Sequence, residues 1–415
     1  MKYLYIFFIC ILMKNGIGLA QNCDYHYQFD VKIERYTEGY VAKYFSSNLS
    51  TRQVIKIPVV VHVVWRNEEE NISDAQIQSQ LDVLNKDFRK LNADFKNVPS
   101  VFKDVAADCE IEFCLAQKDT LGKTTKGILR YNTSVDNVGS VFSNNKRAVY
   151  YSTSGGADNW RPTEYLNVWV CRLSNILGFS TPLAKAQTTP SEDGIVVDYR
   201  VFGTIGTALN SIGHKEGRTT THEIGHYFNL LHVWGSSNAC NDDDLVGDTP
   251  LQAEPSTGCP SFPTKDSCSN NIMYPNFMDY TNDECMGLFT LGQKVRMMAT
   301  LNGFRAGLLR GAGCETVATQ EVDYQWIMSP NPASDYLKIS FSKAANHTIS
   351  QVFLTDVIGR VFTPKMSFKN VNTHAFGLIN EGGLEIPLVD IPNGFYLVVM
   401  DLDGKKVSSK IIVQK

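Results

Sequence analysis

The stretch TTTHEIGHYFNLLHVWG (Thr219–Gly235) restricts the possible folds more than any other. His222 and His226 stand four residues apart, which puts both imidazoles on one face of a helix, one turn apart. Two imidazoles placed this way suit a single zinc ion. Glu223 follows the first histidine, beside the coordination position left open, where it can take a proton from water. His232 lies further along, and a straight helix would carry it past the ion. The chain must therefore turn sharply between His226 and His232. Glycine in the left-handed conformation is the usual device for such a turn. Asn229 occupies that point here. Asparagine tolerates left-handed backbone best among the other residues and is an accepted helix C-cap. The stretch thus predicts a helix, a left-handed turn at Asn229 and three converging histidines. A lone His-Glu-x-x-His match is a weak signal, since any amphipathic helix can carry one, and the third histidine strengthens it.

The 415 residues are 43% hydrophobic and 20% charged, enough for two or three buried cores. A net charge of −4 argues against a nucleic-acid or anionic-membrane surface, which needs clustered basic residues. MKYLYIFFICILMKNGIGLA (residues 1–20) has the three parts of a secretory signal: Lys2, an apolar run and a Gly-Leu-Ala end. The apolar run is too short to span a bilayer, and no later segment is long enough. Export permits disulfides. Of ten cysteines Cys10 leaves with the signal, and the odd remainder leaves one thiol over.

Residues 21–54 show no clear apolar period and read as a wrapping segment without its own core. IKIPVVVHVVW (Ile55–Trp65) is a buried strand, β-branched and nearly continuous. Ser73 and Gln76 then form the two halves of a capping box, with Ile72 and Ile77 as a staple across it. Ile77, Leu81, Leu84, Phe88 and Leu91 recur at helical spacing. Ile111–Gln117, Leu166–Leu173 and Gly194–Phe202 read as further strands, which suggests a mixed α/β subdomain. Gly235–Leu288 is irregular and cysteine-bearing, and Thr290 with Gln293 opens another helix through a second capping box. After Cys314, evenly spaced short strands with turn signals indicate a small β-sandwich.

HEIGHYFNLLHVWG followed in order by CNDDDLVGDTPLQ, GCP, DSC, NFMDY and FTLGQK resembles the pappalysin family of metzincin zinc peptidases, particularly its bacterial members. The resemblance covers roughly residues 55–310. It implies an α+β, zincin-like catalytic domain with a twisted mixed sheet, a backing helix and an active-site helix. It also implies His222, His226 and His232 as zinc ligands and Glu223 as general base and acid. Met278 would form the Met-turn beneath the metal, and Tyr280 would help stabilise the tetrahedral intermediate. Without the resemblance Met278 would be a core gap-filler and Tyr280 would carry no weight. Cys240, Cys259, Cys268 and Cys285 allow three pairings, of which the resemblance favours Cys240–Cys268 with Cys259–Cys285. Cys109, Cys114, Cys171 and Cys314 are left unassigned. Asp242, Asp243, Asp244, Asp248 and Thr249 offer oxygens suited to calcium, commonly bound in this region of bacterial pappalysins, with Asp248 and Thr249 the leading candidates. Cys23 is the natural leftover thiol and a candidate latency switch, since a thiolate in the fourth zinc position would displace the catalytic water. Of the acidic trio Asp279, Asp283 and Glu284, we take Glu284 as the candidate wall of a pocket selecting Arg or Lys beyond the scissile bond. NLSTRQVIK would then offer Thr51–Arg52 for autolytic activation.

SPNPASDYLKISF, VFLTDVIGRVF and IPNGFYLVVMDLDGKKVSSKIIVQK resemble the C-terminal sorting domain of the bacterial type IX secretion system, roughly residues 325–415. The expected organisation is signal (1–20), propeptide (21–51), catalytic domain (52–315), linker (316–324) and an all-β sandwich sorting domain (325–415). The chain is expected to be a secreted or cell-surface zinc endopeptidase, made latent, with calcium. Its expected partners are protein or peptide substrates and the secretion machinery. The rival is a surface adhesion or binding protein with a structural zinc, which would have no need of Glu223. An amidase of non-protein substrates is a further alternative.

Overall fold

A computed structural model describes residues 30–46, 54–143, 146–235, 240, 242–310, 314, 326–341, 347–356, 361–363, 378–379, 384–402 and 405–415. The chain divides into two compact units, Met1–Glu315 and Thr316–Lys415.

In the first unit, strand β1 (Ile55–Trp65) is the backbone of the sheet. Its first half pairs in parallel with β2 (Ile111–Leu115) and its second half with β3 (Ile128–Asn132). The other edge of β1 pairs with β4 (Leu166–Cys171), which in turn pairs with β6 (Ile195–Asp198), all parallel. β5 (Gly178–Ser180) closes the edge antiparallel to β6 and makes the sheet mixed. Both faces of β1 are covered. Val59, Val61 and Val63 pack into one cluster, while Val64 joins a second with Trp169 and Val196. A strand buried on both sides has no reason to alternate, which explains its unbroken apolar run. β3 and β5 escaped the sequence reading because they are short and carry little of that signal.

Helix α2 (Asp74–Phe88) backs the sheet, with Ile77, Leu81, Leu84 and Phe88 in the main core. Ser73 Oγ accepts from Gln76 N at 3.1 Å, but the reciprocal half of the expected capping box is not formed. Gln76 instead donates to the carbonyls of Tyr199 and Phe202, tying the helix to the chain after β6. The helix also stops before Leu91, which is 69% exposed, because Lys90 adopts φ 51° and turns the chain.

Residues 31–46 form a helix, α1 (Val31–Ser46), where the sequence showed no apolar period. Its buried face is Ile33, Glu34 and Thr37, so polar residues carry much of its packing and mask the amphipathic signal. α1 lies against the last long helix of the unit, α4 (Leu291–Asn302), whose capping box between Thr290 and Gln293 is complete. Between them in sequence runs α3 (Arg218–Tyr227), the histidine-bearing helix.

The second unit is all β. Trp326–Ser329, Tyr336–Phe341 and Leu384–Pro387 make one antiparallel sheet. His347–Asp356, Val361–Phe362, Gly394–Leu402 and Lys405–Val413 make another, with Leu378–Ile379 pairing at its margin. Leu337, Ile339 and Ile386 of the first meet Val352, Leu354, Val398, Met400 and Ile411 of the second in one core, a sandwich.

Candidate active site

α3 begins after Gly217, whose φ of 75° lets the chain enter the helix, and is buried along its whole length. A buried helix must have its terminal backbone groups satisfied by other parts of the protein. At the start, the Asp283 carboxylate accepts from Glu216 N (2.8 Å) and Arg218 N (3.2 Å). At the far end, three successive carbonyls are taken by α4 and the residues after it. Arg305 Nε donates to Tyr227 O (2.9 Å), Thr300 Oγ1 to Phe228 O (3.0 Å) and Arg296 Nε to Asn229 O (2.7 Å). Cationic groups here also oppose the helix dipole favourably. Asn229 adopts φ 69°, the left-handed turn expected of it. Arg296 is fixed in turn by a buried two-pronged pair with Glu34 of α1, both contacts at 2.9 Å.

The turn brings the three histidines together. Nε2 of His226 lies 3.0 Å from Nε2 of His222 and 3.0 Å from Nε2 of His232. Nδ1 of His222 donates to Phe277 O and Nδ1 of His226 to Leu230 O, both at 2.8 Å. With the proton on Nδ1, each of these two Nε2 atoms presents a lone pair. Lone pairs facing each other at 3.0 Å repel unless a cation lies between them, and tetrahedral zinc at 2.0–2.1 Å from its ligands spaces nitrogens by about 3.3 Å. The donor set therefore fits zinc. Burial is the main influence on all three rings: it holds His222 down to about 4 and the other two well below the ordinary range, so they are neutral and able to ligate.

Met278 is fully buried and sits against Gly225, between the two helical histidines, where a side chain on Gly225 would collide with its sulfur. The peptide groups around it also act on the histidines. Phe277 O holds His222, and Met278 O accepts from Val233 N (3.4 Å), next to His232. Tyr280 is part-buried, with its ring 5.6 Å from His222 and 5.0 Å from His232. Glu223 is 1% exposed, and a Cβ at Gly178 on edge strand β5 would come within 3.0 Å of its Cγ and 3.1 Å of its Oε1. Glycine at 178 therefore leaves room for the carboxylate. Gly178 and Gly225 were not legible as site residues, because a glycine shows its role only through the neighbour it admits.

The acidic trio is divided in use. Asp279 accepts from Ser256 N (2.8 Å), Gln252 Nε2 (2.9 Å) and Tyr280 N (2.8 Å), and Asp283 caps α3. Both are buried, and burial lifts Asp279 to about 6. Glu284 alone is exposed, with Oε1 3.5 Å from Cys259 Sγ.

The structure joins Cys240 to Cys268, Cys259 to Cys285 and Cys114 to Cys314. Cys109 and Cys171 are buried free thiols in different clusters. Four disulfides are thus not formed among the described residues, and counting alone no longer singles out Cys23. Cys23, the signal segment and Thr51–Arg52 lie outside the described residues. In the acidic loop, Asp244 Oδ1 accepts from Thr249 Oγ1 (2.7 Å) while its Oδ2 is buried without a hydrogen-bond partner. Asp248 Oδ2 accepts from Gly292 N (2.8 Å), and its Oδ1 is likewise buried and unmatched. Asp243 is exposed and bonds Leu245 N locally.

Residues 149–302 match the family described as pregnancy-associated plasma protein-A, and residues 328–414 match the secretion system C-terminal sorting domain. An extracellular metalloprotease of Arthroderma benhamiae is 30% identical over 261 residues, 61% of this chain and 80% of the relative. The chain belongs to the pappalysin family of metallopeptidases. Among solved structures, mature mirolysin of Tannerella forsythia in complex with a cleaved peptide is 45% identical, with TM-score 0.59 over 63% of this chain and 97% of that one. A mutant of Tannerella forsythia promirolysin is 41% identical, with TM-score 0.61 over 67% and 91%. This pappalysin is therefore a secreted or cell-surface metalloendopeptidase of metzincin fold with a type IX sorting domain. Family membership decides for an enzyme over a binding protein. It also implies zinc, for which the histidine triad is the candidate site. No described helix is long and apolar enough to cross a membrane.

Proposed function

We propose that His222, His226 and His232 hold the zinc ion and that Glu223 is the base and acid of peptide-bond hydrolysis. The convergence of three neutral imidazoles at 3.0 Å carries this reading. When bound, zinc supplies a Lewis acid that polarises the scissile carbonyl and makes water at its open position easier to deprotonate. Glu223 takes the proton of the attacking water and passes it to the leaving amine. Tyr280 offers its hydroxyl to the carbonyl oxygen as negative charge develops there. Met278 packs beneath the two helical ligands.

Substrates are proteins or peptides with Arg or Lys after the scissile bond, recognised by Glu284. Support comes from the division of the acidic trio: Asp279 and Asp283 are committed to backbone, and Glu284 is left facing solvent. Residues 21–51 form a propeptide, with 1–20 a signal, 52–315 the catalytic domain, 316–324 a linker and 325–415 the sorting domain. The related promirolysin supports a latent form, in which Cys23 blocks the site and cleavage at Thr51–Arg52 releases it. Calcium binds through Asp248 and Thr249, supported by the unmatched buried oxygens of Asp248 and Asp244.

Purified protein is expected to cut a mixed peptide library before Arg or Lys, and a zinc chelator is expected to abolish every cut. Mass spectrometry of the products checks this, and cuts without basic preference would remove the Glu284 assignment. Calcium is expected to raise the melting temperature of the zinc-loaded protein, with the gain lost in Asp248→Ala. An unchanged melting curve at millimolar calcium would refute the calcium site.

A further inference from the structure

The turn between the histidines is held from another helix. The end of α3 closes with the paired bonds of a left-handed helix cap: Asn229 N donates to His226 O at 2.8 Å and Leu230 N to Gly225 O at 3.0 Å. Asn229 takes the left-handed position, with φ 69°. That backbone is strained for a residue other than glycine and persists where surrounding contacts impose it. The side-chain amino group of Asn229 does not supply the hold, since Nδ2 is buried without an acceptor among the described residues. Arg296 of α4 does, its Nε donating to Asn229 O at 2.7 Å. The next residue, Leu230, presents its carbonyl to Nδ1 of His226 at 2.8 Å. The turn therefore bears on one ring directly and sets where the chain carries His232. Arg296 is itself positioned. Its Nη1 and Nη2 meet the two carboxylate oxygens of Glu34 in α1, each at 2.9 Å. Arg296 and Glu34 are only 3% and 4% exposed. A buried guanidinium needs a counter-charge, and this end-on fork leaves Nε aimed at the Asn229 carbonyl.

Resting on the zinc reading above, we propose that Arg296 is a positioning residue for the zinc ligands and that Glu34 acts on the metal site through it. α1 falls within residues 21–51, the segment proposed as propeptide. Docking of that segment and binding of zinc draw on one arrangement of the same turn. Each is therefore tighter when the other is in place. One buried guanidinium carries the coupling.

The test uses a full-length parent chain carrying Cys23→Ser and Glu223→Gln, which takes the Cys23 thiol out of the comparison and stops self-cleavage. Arg296→Gln, Arg296→Lys, Glu34→Gln and the double change Glu34→Gln with Arg296→Gln are made on it. Competition against a chromophoric chelator measures zinc affinity, and the visible bands of bound Co²⁺ report ligand geometry. Arg296→Gln is expected to lose about tenfold in zinc affinity, the lower end for groups that orient a ligand, with shifted Co²⁺ bands. Lysine keeps the charge but not the fork that serves Glu34 and Asn229 together, and is expected to show a similar loss. Glu34→Gln is expected to lose about fivefold. It should add nothing to Arg296→Gln, because its effect passes through that side chain. Parent affinity in Arg296→Gln, or losses at the two positions that simply add, would overturn the inference while leaving the zinc site standing. A parent that takes up no zinc would overturn both. Should Arg296→Gln not fold, Glu34→Gln and Arg296→Lys decide: losses of about fivefold or more in both support the inference, and parent affinity in either overturns it.

Discussion

Replacing Glu223 with glutamine is expected to cut peptide hydrolysis by about 10²–10⁴-fold, the range associated with a positioned general base. Glutamine keeps the size and hydrogen-bonding shape of the side chain, so the cleft beside Gly178 stays filled and the histidine rings stay where they are. It cannot accept the proton of the attacking water. The loss should therefore fall on kcat, with zinc content and KM near those of wild type. Steady-state kinetics on a single peptide, paired with metal titration of the same sample, separate the two. Retention of most activity at full zinc occupancy would remove Glu223 from the mechanism.

The second large effect is expected at Arg218, which opens α3. Its Nη2 donates to Asp94 (2.8 Å), its Nη1 to the carbonyls of Asp283 (3.0 Å) and Met286 (3.1 Å), and its Nε lies 2.9 Å from Asp87 Oδ2. Arg218 and Asp87 are 5% and 2% exposed. Taking the cation away leaves buried carboxylates and carbonyls unmatched, so Arg218→Met should cost roughly 3–5 kcal/mol. The cost depends on pH with a definite sign. Burial, opposed by Arg218, already lifts Asp87 to about 7, and loss of the guanidinium lifts it further. A carboxyl raised in the folded state keeps its full stabilising contribution below the unfolded pKa, near 3.9, and loses it as pH rises through the folded value. The variant should therefore be closer to wild type at pH 5 than at pH 8. Urea unfolding followed by tryptophan fluorescence at both pH values measures this, and an equal or larger deficit at pH 5 would contradict it.

The tie from Arg296 to Asn229 O and to Glu34 shows why parts of the site were illegible in the chain order. Glu34 and Arg296 lie 262 positions apart, and neither stands in a motif. Their pairing exists only because α1 folds onto α4. The same holds for Arg305 and Thr300, which satisfy the carbonyls of Tyr227 and Phe228 at the end of α3 from well beyond it in the chain. Gln76 was legible as half of a capping box, yet its amide serves the carbonyls of Tyr199 and Phe202 in the chain after β6. In such competitions the tertiary contact overrode the local preference.

What the sequence determined by itself is local. The four-residue spacing of His222 and His226 places them on one helical face, and the tolerance of asparagine for left-handed backbone lets Asn229 turn the chain toward His232. The unbroken β-branched run of β1 marks a strand with both faces covered. These follow from helix geometry, steric maps and burial, which act within a few residues. What only the tertiary structure decided is which of three carboxylates are taken up by backbone groups and which is left exposed. Asp279 and Asp283 were committed to groups of residues 216–218 and 252–256, and Glu284 was not. Those outcomes depend on packing between segments distant in sequence, and no local spacing records them.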